Sequence, residues 1–211
     1  MAQNTSGIMA LLNLSWVYDL YQTMVGARRQ FRLLVKDHIR PEPDLRMVDI
    51  GCGTASIVDW LGEVDYLGID MSERYIAKAR KRYDGRAEFF VATTEYLAHQ
   101  QPQTFDIALA LGVLHHLDDN LVEDLFRDTS RLLRPGGRMV TVDPCYVDGQ
   151  SSIARFLIDN DRGKNVRDPG RYRELAMPYF ENIDAQVRHD LLHVPYTQYV
   201  MECSQQEGHR G

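Results

Sequence analysis

Val48-Asp49-Ile50-Gly51-Cys52-Gly53-Thr54-Ala55 is the stretch that decides the fold. Met47-Val48-Asp49-Ile50 reads as a short apolar strand, and it runs straight into two glycines one residue apart. Helical material is expected behind them to about Leu61. Glycines at such a turn take left-handed backbone and let the main chain approach a ligand closely, while a helix start offers unpaired N–H groups. The next apolar run, Tyr66-Leu67-Gly68-Ile69, closes on Asp70. A carboxylate at the tip of the neighbouring strand can accept both hydroxyls of a ribose. The dinucleotide fingerprint G-x-G-x-x-G is the natural competitor, but Ser56 stands where its third glycine belongs. That fingerprint also asks for no acid inside the first strand. Asp49 is there, and a buried acid beside the turn suits a ligand carrying an amino group.

Outward from this stretch the chain alternates. Ser72 caps a charged helix over 73–83, and strands follow over 87–92 and 105–110, the latter apolar throughout, as for a strand covered on both faces. An amphipathic helix over 118–134 stops at Pro135-Gly136-Gly137, and a fifth strand covers 138–143. Alternating strands and helices predict right-handed βαβ units and a parallel sheet. Residues 11–40 have a helical period (Leu11, Leu12, Trp16, Leu20, then Phe31, Leu34, Val35, His38), read as two helices hinged near Gly26 and ended by Pro41-Glu42-Pro43. After Asp143 the alternation breaks. Helices are expected over 151–160 and 170–178, with a charged loop over 161–168 between them. Strands over 183–192 and 196–203 form an antiparallel pair at one sheet edge, and a loose tail follows.

Composition narrows the function. The chain has 211 residues and a formal net charge of −6, with 44% hydrophobic and 26% charged residues. That is ordinary globular composition, and an acidic chain does not suit generic binding to nucleic acid or anionic membrane. Cys52, Cys145 and Cys203 are odd in number and widely spaced, which suggests neither a disulfide framework nor a zinc site and fits a reducing, cytoplasmic setting. MAQNTSGIMALLNLSW has no basic leader or cleavage site, so a signal peptide is not expected. The longest apolar run, 107–114, is far short of a membrane span.

Four segments, VDIGCGTA, YLGIDMS, FDIALALGVLHHL and LLRPGGRMVTVD, resemble in this order the signature segments of class I S-adenosylmethionine-dependent methyltransferases. They cover about half the chain, residues 47–143. The resemblance implies an α/β, Rossmann-like fold in one domain: a seven-stranded, mostly parallel sheet with helices on both faces and the last strand antiparallel, inserted beside the fifth. It implies an N-terminal helical cap (1–44), a cofactor-binding core (45–143), a substrate-lid insertion (144–180), a C-terminal strand pair (181–203) and a tail (204–211). The cofactor implied is S-adenosyl-L-methionine, released as S-adenosyl-L-homocysteine. Gly51, Cys52 and Gly53 would line its methionine part through backbone atoms, and Asp49 would hold its amino group. Asp70 would bind the ribose hydroxyls, Met71 would lie on the adenine face, and Leu111, Gly112 and Val113 would flank the sulfonium. Family members usually place an acid after the third strand, near the adenine amino group. Here the stretch is Ala92-Thr93-Thr94-Glu95, which leaves Thr93, Thr94 or a main-chain atom for that contact.

The acceptor is less legible. Members that methylate nucleobase or amide nitrogens often carry an Asn/Asp-Pro-Pro-aromatic segment after the fourth strand, and Leu111-Gly112-Val113-Leu114 stands here instead. His115 and His116 are the candidate bases, since an imidazole titrates near neutrality; the competing reading makes them structural or a border of the cofactor. Metal ligation by this pair with Asp118 or Asp143 is disfavoured, and no metal is expected. His189 and His193 lie in strand-like sequence, where such an offset separates them too far for a shared ligand. Tyr146, leaving the fifth strand at the pocket mouth, is a third candidate to meet the substrate. Arg162, Lys164 and Arg167 form a cation cluster that can grip a carboxylate or phosphate, the alternative being a solvated loop balanced by its own acids. Tyr18 and Tyr21 are candidates to close over the ligand from the N-terminal helices. The reading reached is a cytoplasmic small-molecule methyltransferase, oxygen favoured over carbon or nitrogen, with no nucleic-acid or membrane partner. An RNA or protein methyltransferase, or a non-catalytic cofactor-binding module, remains the alternative, and the oligomeric state is open.

Overall fold

The computed structural model describes residues 26–205. In chain order it contains α1 (Ala27–Leu34), β1 (Arg46–Ile50), β2 (Asp65–Ile69), α2 (Glu73–Arg82), β3 (Glu88–Phe90), α3 (Thr94–Gln100), β4 (Phe105–Leu111), α4 (Asp119–Leu132), β5 (Leu133–Pro144), α5 (Ser152–Asp159), α6 (Pro169–Ala176), β6 (Asn182–Arg188) and β7 (Gln198–Ser204). Helix starts follow the expected chemistry. Ser72 accepts the Tyr75 N–H at 3.4 Å, Asp118 the Leu121 N–H at 3.0 Å, and Asp168, just ahead of Pro169, the Arg171 N–H at 2.9 Å.

The strands form one sheet in the order β3-β2-β1-β4-β5-β7-β6. β1 to β5 pair in parallel, and β7 is antiparallel to both of its neighbours, so it enters beside the fifth strand as expected. One face of the sheet joins Val48, Ala108 and Ala110 to Phe126 and Leu132 of α4 and to Tyr172 and Leu175 of α6. The other joins Met47, Ile107 and Leu109 to Leu34 and Ile39 at the first helix and to Ile76 and Ala79 of α2. Glu202 of β7 accepts from His38 at 2.9 Å and from Arg40, which staples the end of the first helical segment to the far strand.

Several expectations shift. Behind the glycine turn there is no long helix. Ala55 takes left-handed backbone and only a single 3₁₀ turn, Ser56–Trp60, follows. β5 starts at Leu133, so Pro135-Gly136-Gly137 lies within the strand, and the ladder with β4 slips between Phe105 and Ile107 to absorb it. β6 ends at Arg188, whose guanidinium turns onto Asp190 and Asp37, and Pro195 has no N–H to keep a ladder going into β7. The first helix ends in a π-turn, Val35–Ile39, closed by Arg40 in left-handed backbone. The N-terminal cap ahead of Gly26, with Tyr18 and Tyr21, lies outside the described residues, as does the tail beyond Gln205.

Phe126 is fully buried and meets Phe180 edge-on, with centroids 6.0 Å apart. Phe126→Ala should therefore lower unfolding free energy by ~3–5 kcal/mol in a urea titration, the usual cost of emptying an aromatic core site.

Candidate active site at the carboxyl ends of the strands

The glycine turn hangs from the next strand. The Gly51 and Cys52 N–H groups both donate to the Ile69 carbonyl, at 2.8 and 3.0 Å. The Gly53 N–H donates to Asp70 Oδ2 at 3.0 Å, and the Ser72 N–H to Asp70 Oδ1 at 2.7 Å. Asp70 thus bridges the turn and the start of α2, and each oxygen keeps a lone pair for an outside donor. Gly51 (φ +69°) lies so close to the β4 turn that a Cβ would sit 2.8 Å from the Val113 side chain. Gly53 (φ +56°) is the opposite case, because a Cβ there would meet nothing within 4 Å. The N–H groups of these three residues are spent inside the protein, so the turn offers a ligand open space and carbonyls, not the helix N-terminus expected from the sequence. The Cys52 thiol points down toward β2, 2.8 Å from where a Gly68 Cβ would stand, which leaves Cys52 to contribute through its backbone.

Asp49 is buried at the end of β1, with its Oδ2 accepting from Tyr66 OH at 2.5 Å. Burial raises its pKa to about 7; Tyr66 opposes the shift and the Asp70 charge adds to it. Asp49 is therefore a buried acid held near its titration point, ready to ionise against a cation. Met71 is 67% exposed beside Asp70, a large apolar side chain displayed where an adenine face is expected. Across from it the Thr93 hydroxyl caps α3, accepting the Tyr96 N–H at 3.1 Å, and Thr94 opens that helix. An open cradle, a buried acid, a ribose-type carboxylate and an exposed apolar platform together fit an amino-acid nucleoside such as S-adenosylmethionine.

Leu111, Gly112 and Val113 leave β4 beside this cradle, and a 3₁₀ turn, Leu114–His116, follows. The two histidines differ sharply. His115 is buried, with Nδ1 2.7 Å from Asp143 Oδ1 and Nε2 3.4 Å from Asp161 Oδ1. Burial alone would depress its pKa, but hydrogen bonds and charge from Asp143 and Asp161 outweigh that and raise it to about 9. At neutral pH both ring nitrogens carry protons, so the expectation of His115 as a base is corrected. The His116 ring stacks on His115 with centroids 4.0 Å apart. Desolvation and the charge of His115 lower its pKa to about 4, so His116 is a neutral hydrogen-bonding group at pH 7.

Arg167 is also corrected. Its guanidinium is buried and donates to Asp119 (2.7 Å) and to the carbonyls of Leu114 (3.0 Å), Asn165 (2.9 Å) and Leu117 (2.7 Å). It supports the histidine turn, with four of its five N–H donors engaged there and its side chain buried. Arg162 and Lys164 remain exposed on the same segment. Tyr146 donates to Asp159 at 2.8 Å, and Arg155 sits over its ring. His189 meets Thr197 at 3.2 Å, in a bend and not in a strand. Three residues of the site were not singled out from sequence: Tyr66, Asp161 and Tyr196. Their partners lie on other elements, and no local pattern announces them.

Residues 48–139 match the family model described as a methyltransferase domain. An O-methyltransferase from Pyrenophora dematioidea is 31% identical over 61% of this chain and 50% of its own length. Phosphoethanolamine N-methyltransferase 1 from Triticum aestivum is 30% identical over 69% of this chain and 30% of its own. These likenesses support a class I S-adenosylmethionine-dependent methyltransferase domain over this part of the chain. The fold agrees: a methyltransferase from Thermotoga maritima described as a possible histamine N-methyltransferase superposes with a TM-score of 0.69 at 21% identity, covering 92% of this chain and 97% of that one. The chain spans half or less of the length of these two curated relatives.

Asp49, so placed, costs the folded protein stability. An acid whose folded pKa is raised binds more protons folded than unfolded, so stability falls as pH rises from about 4 to about 7, by at most ~1.4 kcal/mol per pH unit. Asp49→Asn keeps an acceptor for Tyr66 and removes that slope. Without ligand the variant should melt above the wild type at pH 8; equal melting temperatures and slopes would mean that Asp49 is not held near its titration point.

Proposed function

We propose that this protein transfers a methyl group from S-adenosylmethionine to a small-molecule acceptor, and that the acceptor atom is an oxygen. The observation that carries the reading is the conjunction at the strand ends of the open Gly53 cradle, the buried Asp49 and the doubly anchored Asp70. In this reading Asp49 pairs with the cofactor's ammonium and Asp70 takes the ribose hydroxyls. Met71 supports the adenine, with Thr93 and Thr94 at its edge. Gly51, Cys52 and Gly53 flank the methionine chain, and Leu111, Gly112 and Val113 flank the sulfonium. The acceptor enters from the side of His116, beneath residues 144–180, with Tyr146, Arg162 and Lys164 on that insertion.

The chemistry asks little of the protein. The activated methyl is the cofactor's, and the enzyme contributes in-line placement and exclusion of water. A neutral His116 of low basicity orients a hydroxyl but does not strip an aliphatic alcohol. It suits an acceptor whose O–H is already acidic, such as a phenol or enol. The likeness to an O-methyltransferase supports oxygen. The likeness to a phosphoethanolamine N-methyltransferase supports a second reading, an amine acceptor, which needs no strong base once its nitrogen is neutral.

The test is to incubate the protein with methyl-labelled S-adenosylmethionine and a cell extract separated into metabolite, RNA and protein fractions. Label should pass to the metabolite fraction, and the labelled product should resist the mild alkali that cleaves carboxyl esters but carry a methoxy signal in its NMR spectrum. Label confined to RNA or protein would reject the small-molecule acceptor, and no S-adenosylhomocysteine with any fraction would favour a binding module.

A further inference from the structure

We propose that Asp161 is a positioning residue: from the 161–168 segment it grips His115 on the side opposite Asp143, with Tyr196 fixing it, and so locks that segment onto the end of β4. The clamp draws on four parts of the chain. Asp143 comes from the end of β5, where its Oδ1 accepts both the backbone N–H of His115, at 3.1 Å, and the ring Nδ1. Asp161 comes from the segment after α5. Its Oδ1 faces His115 Nε2 and accepts the Gly163 N–H at 3.1 Å, while its Oδ2 accepts from Tyr196 OH at 2.7 Å. Tyr196 reaches in from the connection between β6 and β7.

Shape backs the polar contacts. Gly163 lies flat against the imidazole, where a Cβ would sit 1.9 Å from His115 Cδ2. The Asn165 N–H donates to the His115 carbonyl at 3.0 Å, and Arg167 takes the carbonyls on either side of the histidine pair. Segment 161–168 is therefore not a solvated loop. It is seated on the histidine turn by its backbone, and Asp161 supplies the one carboxylate that the turn itself lacks on that side.

Charge sets the range over which the lock holds. The groups facing His115 are Asp143 from β5, Asp161 from the segment and His116 from its own turn, with Arg162 close to His116. Burial would raise Asp161, but hydrogen bonds from His115, the Gly163 N–H and Tyr196 hold it well below the usual carboxylate range. The lock is complete while His115 is cationic and is lost as pH rises through about 9. A doubly protonated His115 also cannot take a proton from an acceptor, which leaves His116 as the histidine that faces it. Only this last consequence rests on the methyl-transfer reading.

The experiment compares wild type, Asp161→Asn and Tyr196→Phe by two measurements that need no acceptor. Histidine ring NMR reads the titration of His115, and mass spectrometry reads trypsin cleavage after Arg162 and Lys164, both inside the segment. In Asp161→Asn the His115 midpoint should fall by about 1 pH unit or more, the usual effect of losing a neighbouring carboxylate. Cleavage should quicken about tenfold, the effect of one lost charge-assisted hydrogen bond on the open population. Tyr196→Phe should move both in the same direction by less, and carries the test alone if Asp161→Asn does not fold. An unchanged His115 midpoint, or unchanged cleavage, overturns the proposal. Affinity for S-adenosylhomocysteine should stay the same in both variants. A protein that never bound it would sink the methyl-transfer reading and leave the two clamp readouts as they stand.

Discussion

Two backbone N–H groups of one tight turn share a single carbonyl, that of Ile69, and a third goes to the side chain of Asp70. Everything at the ligand end of the sheet depends on this suspension. It fixes the end of β1 against the end of β2, and it holds Asp70 with both oxygens directed by backbone donors. It also brings the turn so close to Val113 that residue 51 has no room for a side chain. A few ångströms of slack in the turn would separate the two acids, and under the proposed function the ammonium and ribose of one ligand could not be held together.

The same end of the molecule carries its least favourable electrostatics. Asp49 and Asp143 are both buried acids, and they are answered in different ways. Asp143 is neutralised inside the chain by His115. Among the described residues Asp49 is answered by a tyrosine hydroxyl and no cation, and burial raises its pKa to about 7. A site that holds an uncompensated acid against its own stability is built for a positively charged ligand. At the opposite end of the sheet, Glu202 gathers His38 and Arg40, and the ionic contacts there serve cohesion.

Much of the fold was legible because its signals are local. Short apolar runs closed by glycine or acid gave the strands, and Ser72 gave the start of α2. The order of the four family segments carried the sheet topology. Where local rules misled, a longer-range constraint won. Pro135-Gly136-Gly137 reads as a stop, yet pairing with β4 draws it into β5. The residues behind the glycine turn have helical spacing, but left-handed Ala55 limits them to a single 3₁₀ turn. His115 and His116 look equivalent in sequence, yet the first is pushed up and the second down, because Asp143 and Asp161 lie in direct contact with the His115 ring while burial and the His115 charge govern His116. Arg167 looked like one of three free cations and is buried under the histidine turn. The acids that hold His115, and the Asp119 carboxylate and turn carbonyls that hold Arg167, lie far along the chain from the residue they control.

The central claim is that the suspended turn and its two acids form one working cofactor site. Calorimetric titration of the wild-type protein and of Asp70→Ala with S-adenosylhomocysteine tests it most directly. The account predicts micromolar or tighter binding by the wild type, ~−8 kcal/mol or better, and a loss of at least tenfold in the variant. Equal affinities in a folded Asp70→Ala protein would contradict it.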